Sequence, residues 1–273
     1  MAHPKKRLGQ HFLTDRNIVR RIISVAGIRE GDSVLEVGPG KGILTQGLLS
    51  AGGRVTAIEL DPALVHTLKE RFASFKGFEV IRADALKVSF LELAGGRVFK
   101  VVSNLPYNIS GPITAKFIEE RAAFSSLTLM FQKEVAMRLT ATPGTKDYGG
   151  LSVFSQVWAD VKREFDVSRN VFSPRPKVDS SVVSFKFLSV PRVAINDEAA
   201  FKKVVKAAFG TRRKTLLNSL KTLGLSREEI ERALKKTGID PQRRGETLTT
   251  AEFGRLTEGL HAHLRASLTF PLP

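Results

Sequence analysis

Asn104-Leu105-Pro106-Tyr107, followed by Asn108-Ile109-Ser110, closes an apolar run at 98–103 that reads as a buried strand. An Asn, an apolar residue, a Pro and an aromatic at a strand's end suit the holding of a flat, amine-bearing ring. The Asn side-chain carbonyl accepts from an exocyclic amine. Pro106 has a fixed φ and no N–H, so it stiffens the turn and presents the Leu105 carbonyl as a second acceptor. Tyr107 offers a face for stacking, worth about 1–3 kcal/mol per base. The four letters alone serve equally well as a plain proline turn.

Three more strand ends carry chemistry. Glu36-Val37-Gly38-Pro39-Gly40-Lys41-Gly42 follows one strand and opens a helix, with glycines that allow a sharp turn and close approach to a ligand. About twenty residues on, Ile58-Glu59-Leu60-Asp61 places a carboxylate where it can take both hydroxyls of a ribose. Asp84, in Arg82-Ala83-Asp84-Ala85, follows a third strand and can accept an adenine amino group, although alone it reads more readily as a helix cap. A dinucleotide loop would carry its third glycine at position 43, which is Ile43. Gly38-x-Gly40-x-Gly42 is similar instead to the loop of S-adenosylmethionine-dependent methyltransferases, whose cofactor has no phosphates to cradle.

The elements that must position these groups alternate. Strand-like runs at 33–37, 54–58, 78–82, 98–103 and 127–131 are separated by helix-like segments at 43–51, 62–72 and 112–121. This pattern predicts an α/β fold with a parallel, Rossmann-like sheet covered by helices. Two further β-rich runs, 151–158 and 180–188, are expected to finish the sheet. The β pattern stops near Val190, and Phe201, Val204, Val205, Ala208 and Phe209 then share one helix face. Ser226 with Glu229 and Thr249 with Glu252 read as capping boxes. A catalytic domain over 1–190 and a small all-helical domain over 191–273 are therefore expected.

Composition narrows the class. Lys+Arg 43 against Asp+Glu 27 in 273 residues gives a net charge of +16, pointing to a polyanionic partner. With no cysteine there is no disulfide or thiolate metal site, which suits a cytoplasmic protein. The five histidines show no ligand spacing, so no metal is expected. Apolar runs fall short of the roughly 18 residues of a membrane span, and residues 1–10 show no secretory pattern.

Taken together these motifs resemble the ribosomal RNA adenine N6,N6-dimethyltransferase family, in its bacterial small-subunit branch. The likeness is carried by Gly9-Gln10-His11-Phe12-Leu13, the 36–42 loop, Glu59, Asp84-Ala85 and Asn104–Tyr107 in order. It continues through Phe172-Ser173-Pro174-Arg175-Pro176-Lys177-Val178-Asp179-Ser180, Phe209-Gly210-Thr211-Arg212-Arg213-Lys214-Thr215-Leu216 and Arg244-Gly245-Glu246-Thr247-Leu248. The sister family acting on the large subunit shares the first part; the 172–180 motif and the tail favour the small-subunit branch. The resemblance implies S-adenosylmethionine as cofactor, contacted by His11, Leu13, Gly38, Glu59, Asp84 and Asn104. It implies 16S rRNA in the small subunit as partner, with the two adjacent adenosines of its 3′-terminal hairpin loop as target, and a monomeric enzyme. Asn104, Leu105, Pro106 and Tyr107 form the catalytic set, with Phe172 sandwiching the base against Tyr107.

Residues 201–223 carry Lys202, Lys203, Lys206, Arg212, Arg213, Lys214 and Lys221 and no acid. Seven cations in 23 residues read as a phosphate-contacting surface. The competing class is a ribosome-assembly factor that keeps the fold without turnover.

Overall fold

The computed structural model describes residues 11–211 and 213–266. In chain order it begins β1 (Phe12–Leu13), α1 (Arg16–Ala26), β2 (Ser33–Val37), α2 (Ile43–Ser50), β3 (Arg54–Glu59) and α3 (Pro62–Arg71). Next come β4 (Phe78–Arg82), α4 (Phe90–Ala94), β5 (Phe99–Asn104), α5 (Ser110–Glu119), β6 (Phe124–Gln132), α6 (Lys133–Leu139) and α7 (Gly150–Trp158). The chain continues through β7 (Ala159–Val167), β8 (Phe172–Ser173), β9 (Ser180–Phe187), α8 (Glu198–Gly210), α9 (Leu216–Ser219), α10 (Arg227–Lys236) and α11 (Thr250–Ala266). Two compact units result. One holds the described residues up to Met137 with Asp160–Phe187, the other Arg138–Ala159 with the described residues from Leu188 onward.

The first unit is built on a seven-stranded sheet of order β4-β3-β2-β5-β6-β9-β7. The first five in that order are parallel, and β9 returns antiparallel along β6. Strand order therefore reverses between β2 and β5, where open α/β sheets bind ligands beyond the carboxyl ends. Register sets those ends level: Val37 pairs with Ile58, Glu59 with Arg82 and Leu35 with Val101. Gly38, Glu59, Asp84 and Asn104 thus emerge side by side.

Local chemistry fixes the elements. Asp15 caps α1 by accepting from the Asn17 N–H at 2.7 Å, and Gly27 closes it in the left-handed region. Asp61 caps α3, whose first residue is Pro62. Fully buried Val34, Leu48, Leu68 and Val102 fill the core that joins sheet and helices. Burying one such side chain contributes about 1.5–3 kcal/mol.

The 151–158 run is a helix, not a strand. Its aromatic and β-branched residues mimic a strand, yet Val153 and Val157 lie one turn apart and are both fully buried, and the Gly149 N–H donates to Ser152 Oγ at 3.0 Å. The seventh strand is the segment that follows, β7, whose Asp160, Lys162, Arg163, Glu164 and Asp166 hide it from a hydrophobic reading; as an outermost strand it exposes much of its surface. Helix α1 also lies outside the alternation read from sequence.

In the second unit, α8 buries Phe201, Val204, Val205 and Ala208 as one stripe. Both capping boxes form: Ser226 Oγ accepts from Glu229 N and Thr249 Oγ1 from Glu252 N, each at 3.2 Å. Arg243 clamps Glu252 and holds its carboxyl down at about 2. Among the described residues no helix is long and apolar enough to cross a membrane.

Candidate active site

One cavity opens at the carboxyl ends of β2, β3, β4 and β5. It is lined by His11, Leu13, Gly38, Glu59, Asp84, Asn104, Leu105, Pro106 and Tyr107, so all the cofactor residues and most of the catalytic residues expected from sequence meet there.

Two glycines of the loop leave no room for a side chain against residues at the cavity wall. Gly38 has φ +71, and a Cβ there would stand 3.0 Å from the Pro106 ring. Gly40 has φ +58, and its Cβ would meet the Phe12 ring at 2.8 Å. A side chain at either place is strained in backbone and collides with the wall.

Glu59 is almost fully buried. Its Oε1 accepts the Asp61 N–H at 2.9 Å and its Oε2 the Gly40 N–H at 3.3 Å. Burial pushes its carboxyl up, and the backbone donors of Asp61, Gly40 and Leu60 counter that. The carboxylate keeps acceptor capacity for a hydroxyl donor. Asp84 Oδ1 accepts from the Leu86 N–H at 3.0 Å, an Asx turn that leaves Oδ2 without a described partner.

Asn104 holds the end of β5. Its Nδ2 donates to the His11 carbonyl at 3.3 Å, and because a carbonyl can only accept, the amide must present Oδ1 elsewhere. No described group donates to Oδ1 or to the Leu105 carbonyl. Two unused acceptors therefore stand on consecutive residues at one cavity wall. Tyr107 is fixed at its hydroxyl, 2.7 Å from Ser180 Oγ, and burial raises its pKa. Its ring centroid lies 5.4 Å from that of His11, whose Nδ1 donates to the Pro174 carbonyl at 2.7 Å.

Phe172 departs from expectation. It is 4% exposed, belongs to the core cluster with Leu13, and does not line the cavity. Its backbone pairs with Leu13, itself a lining residue, in the small β1–β8 sheet, so apolar burial and strand pairing hold it in the core next to the cavity.

Glu36 is the group that sequence reasoning passed over. It lines the cavity, is 1% exposed, and accepts from Thr45 Oγ1 at 2.6 Å. Burial, with the charge of Glu59 adding, pushes its carboxyl up to about 8. Its place before the glycines was visible, but its burial was not. The folded protein holds this proton far above the 4.5 at which the unfolded chain releases it. Its contribution to stability is thus full below that pH and lost as pH rises towards 8. Glu36→Gln should flatten the fall in urea midpoint across this window; a pH profile matching wild type would refute the assignment.

In the second unit, Lys202, Lys203 and Lys206 lie on the exposed face of α8, and Arg213 and Lys214 are exposed just before α9. Arg212 and the residues Gly9 and Gln10 lie outside the described residues.

The fold recurs in solved methyltransferase structures. A dimethyladenosine transferase from Plasmodium falciparum superposes with TM-score 0.72 and 26% identity, covering 92% of this chain and 98% of that one. The 23S rRNA methyltransferase ErmE gives 0.68 and 28%, covering 92% and 99%. Fold and cavity thus define the class: a methyltransferase. The ribosomal RNA adenine dimethylase family matches residues 1–261, and the chain belongs to it. It is 49% identical over 263 residues to the ribosomal RNA small subunit methyltransferase A of Geobacter metallireducens, covering 94% of this chain and 96% of that protein. The enzyme of the same name from Magnetococcus marinus is 47% identical over 255 residues, covering 93% and 90%. The protein is therefore an rRNA adenine dimethyltransferase that uses S-adenosylmethionine. The cavity fits that cofactor, with a buried carboxylate that keeps acceptor capacity, a second carboxylate at the next strand end, and a glycine loop whose backbone forms the wall.

Proposed function

We propose that the enzyme dimethylates N6 of two adjacent adenosines in the 3′-terminal hairpin loop of 16S rRNA within the small ribosomal subunit, and takes part in building that subunit. The observation that carries the chemistry is the pair of unused acceptors, Asn104 Oδ1 and the Leu105 carbonyl, in the same cavity as Glu59. The preference for the small subunit is supported by the names and 49% and 47% identities of the bacterial relatives, against 28% for the 23S enzyme.

S-adenosylmethionine supplies an electrophilic methyl group on a sulfonium centre. In this reading Glu59 takes the ribose hydroxyls, Asp84 the adenine amino group, and Gly38, His11 and Leu13 the methionine end. An adenine N6 is a weak nucleophile because its lone pair is delocalised into the ring. Asn104 Oδ1 and the Leu105 carbonyl bind its two hydrogens, draw them out of the ring plane and localise the lone pair. Pro106 stiffens the turn and Tyr107 stacks on the base. No strong base is needed, since the N6 proton turns acidic as the nitrogen gains charge. The rate then comes from positioning and fixed dipoles. Lys202, Lys203, Lys206, Arg213 and Lys214, on the helical second unit, dock the RNA backbone, and the unit that holds the sheet carries the reaction. The second unit takes in Arg138–Ala159 as well as the residues after 187, so the division is not the single boundary at 190 expected from sequence.

Labelled-methyl transfer to unmethylated small and large subunits in parallel tests the reading. Label is expected in 16S rRNA of small subunits alone. Label in 23S rRNA would refute the subunit assignment, and binding without transfer would favour an assembly factor.

A further inference from the structure

The catalytic unit carries a second set of cations, separate from the lysines of α8. On α1, Arg16 and Arg20 stand one turn apart and exposed, in a helix with no acidic residue. The 168–179 segment adds Arg175 and Lys177, both exposed. The lead-in to α1 is tied to that segment, since the Thr14 N–H and Oγ1 both donate to the Val171 carbonyl, at 2.9 and 2.8 Å, and α1 itself packs on β7, where the Arg21 guanidinium lies 3.8 Å over the Phe165 ring. The His11 Nδ1 donates to the Pro174 carbonyl, placing Arg175 one residue from a group that touches the cavity wall beside Tyr107.

These four cations have no described partner. The acids nearest in sequence are already engaged. Asp15 caps α1, Asp166 binds Lys133, Arg163 and Ser181, Glu164 binds Lys162 and Ser184, and Asp179 accepts the Arg169 N–H. Arg169 in turn donates to the Lys177 carbonyl at 2.8 Å, which braces the segment in its exposed course. Solubility alone is usually served by mixed charges, whereas an unpaired set of one sign, on segments joined to the cavity-lining His11 and Leu13, attracts an anion. A base turned out of its stack into this cavity brings its flanking phosphates to the rim, where backbone contacts fix register without reading sequence.

We infer that Arg16, Arg20, Arg175 and Lys177 form a cationic lip on the catalytic unit that grips the RNA phosphates flanking the target adenosine. The inference rests on the rRNA substrate proposed above and adds the surface that seats it.

Two double variants test it, R16A/R20A and R175A/K177A, in the full-length enzyme. Affinity for unmethylated small subunits and for protein-free 16S rRNA is measured over a range of salt. Each pair should lower the slope of log affinity against log salt by about 1.5–2. The Kd for S-adenosylmethionine should stay at the wild-type value, which also reports that the site is folded. R16K/R20K should keep the wild-type slope, because a phosphate contact of this kind needs only the charge. An unchanged slope in either alanine pair overturns the assignment of that pair. A loss seen with subunits but absent with protein-free rRNA overturns it too, in favour of contact with a ribosomal protein. Failure of the proposed function looks different: the wild-type enzyme itself would then put no methyl group on 16S rRNA, whatever the slopes.

Discussion

Asn104→Ala should slow methyl transfer at least a hundredfold at saturating S-adenosylmethionine while small-subunit binding persists. The side chain is anchored by one hydrogen bond to the His11 carbonyl and presents Oδ1 as a fixed acceptor in the cavity. Such an acceptor gains strength as the amine becomes charged, and losing one preorganised polar contact of this kind costs about 2.7–4 kcal/mol in other enzymes. The Leu105 carbonyl, Pro106 and the Tyr107–Ser180 bond all remain in the variant, so the turn should survive. The bond given up to His11 contributes about 1 kcal/mol, too little to unfold the unit. Single-turnover kinetics beside a subunit-binding assay separate the two effects. A variant that transfers at near the wild-type rate would remove Asn104 from the mechanism.

Glu59→Ala should lower cofactor affinity by about 10- to 150-fold, the equivalent of 1.5–3 kcal/mol for hydrogen bonds to a charged acceptor. The carboxylate has two tasks. It accepts the buried N–H groups of Gly40 and Asp61, and it keeps lone pairs for the ribose. Removing it leaves two donors unsatisfied, so the melting temperature should fall along with affinity. Calorimetric titration at a temperature where the variant is folded isolates the binding effect. Unchanged affinity would exclude Glu59 from the cofactor site.

Much of this site was legible because hydrophobic runs reveal where strands end, and in a parallel sheet the strand ends are where ligands bind. Gly38, Glu59, Asp84 and Asn104 follow from that reasoning alone, and the observed register sets them level. His11 was reached only through family likeness, since its contact with Tyr107 depends on the β1–β8 pairing across some 160 residues. Phe172 shows the converse: its motif was recognised, but whether a ring faces a cavity or the core is decided by packing that spacing does not encode. Glu36 escaped for the same reason, as its burial depends on Thr45 and on the β2–α2 turn. The exchange of strand for helix at α7 and the overlooked β7 share one cause. Composition favoured strand in a buried helix and hid strand in a charged outermost one.

The product expected of this enzyme is N6,N6-dimethyladenosine in 16S rRNA. Unmethylated small subunits incubated with the enzyme and S-adenosylmethionine, then digested and analysed by mass spectrometry of the 3′-terminal rRNA fragment, test it most directly. The fragment should gain four methyl groups, two on each of two adjacent adenosines, and with Asn104→Ala almost none in the same time. Monomethylated adenosine as the end product, methyl groups elsewhere in the RNA, or an unmodified fragment would contradict it.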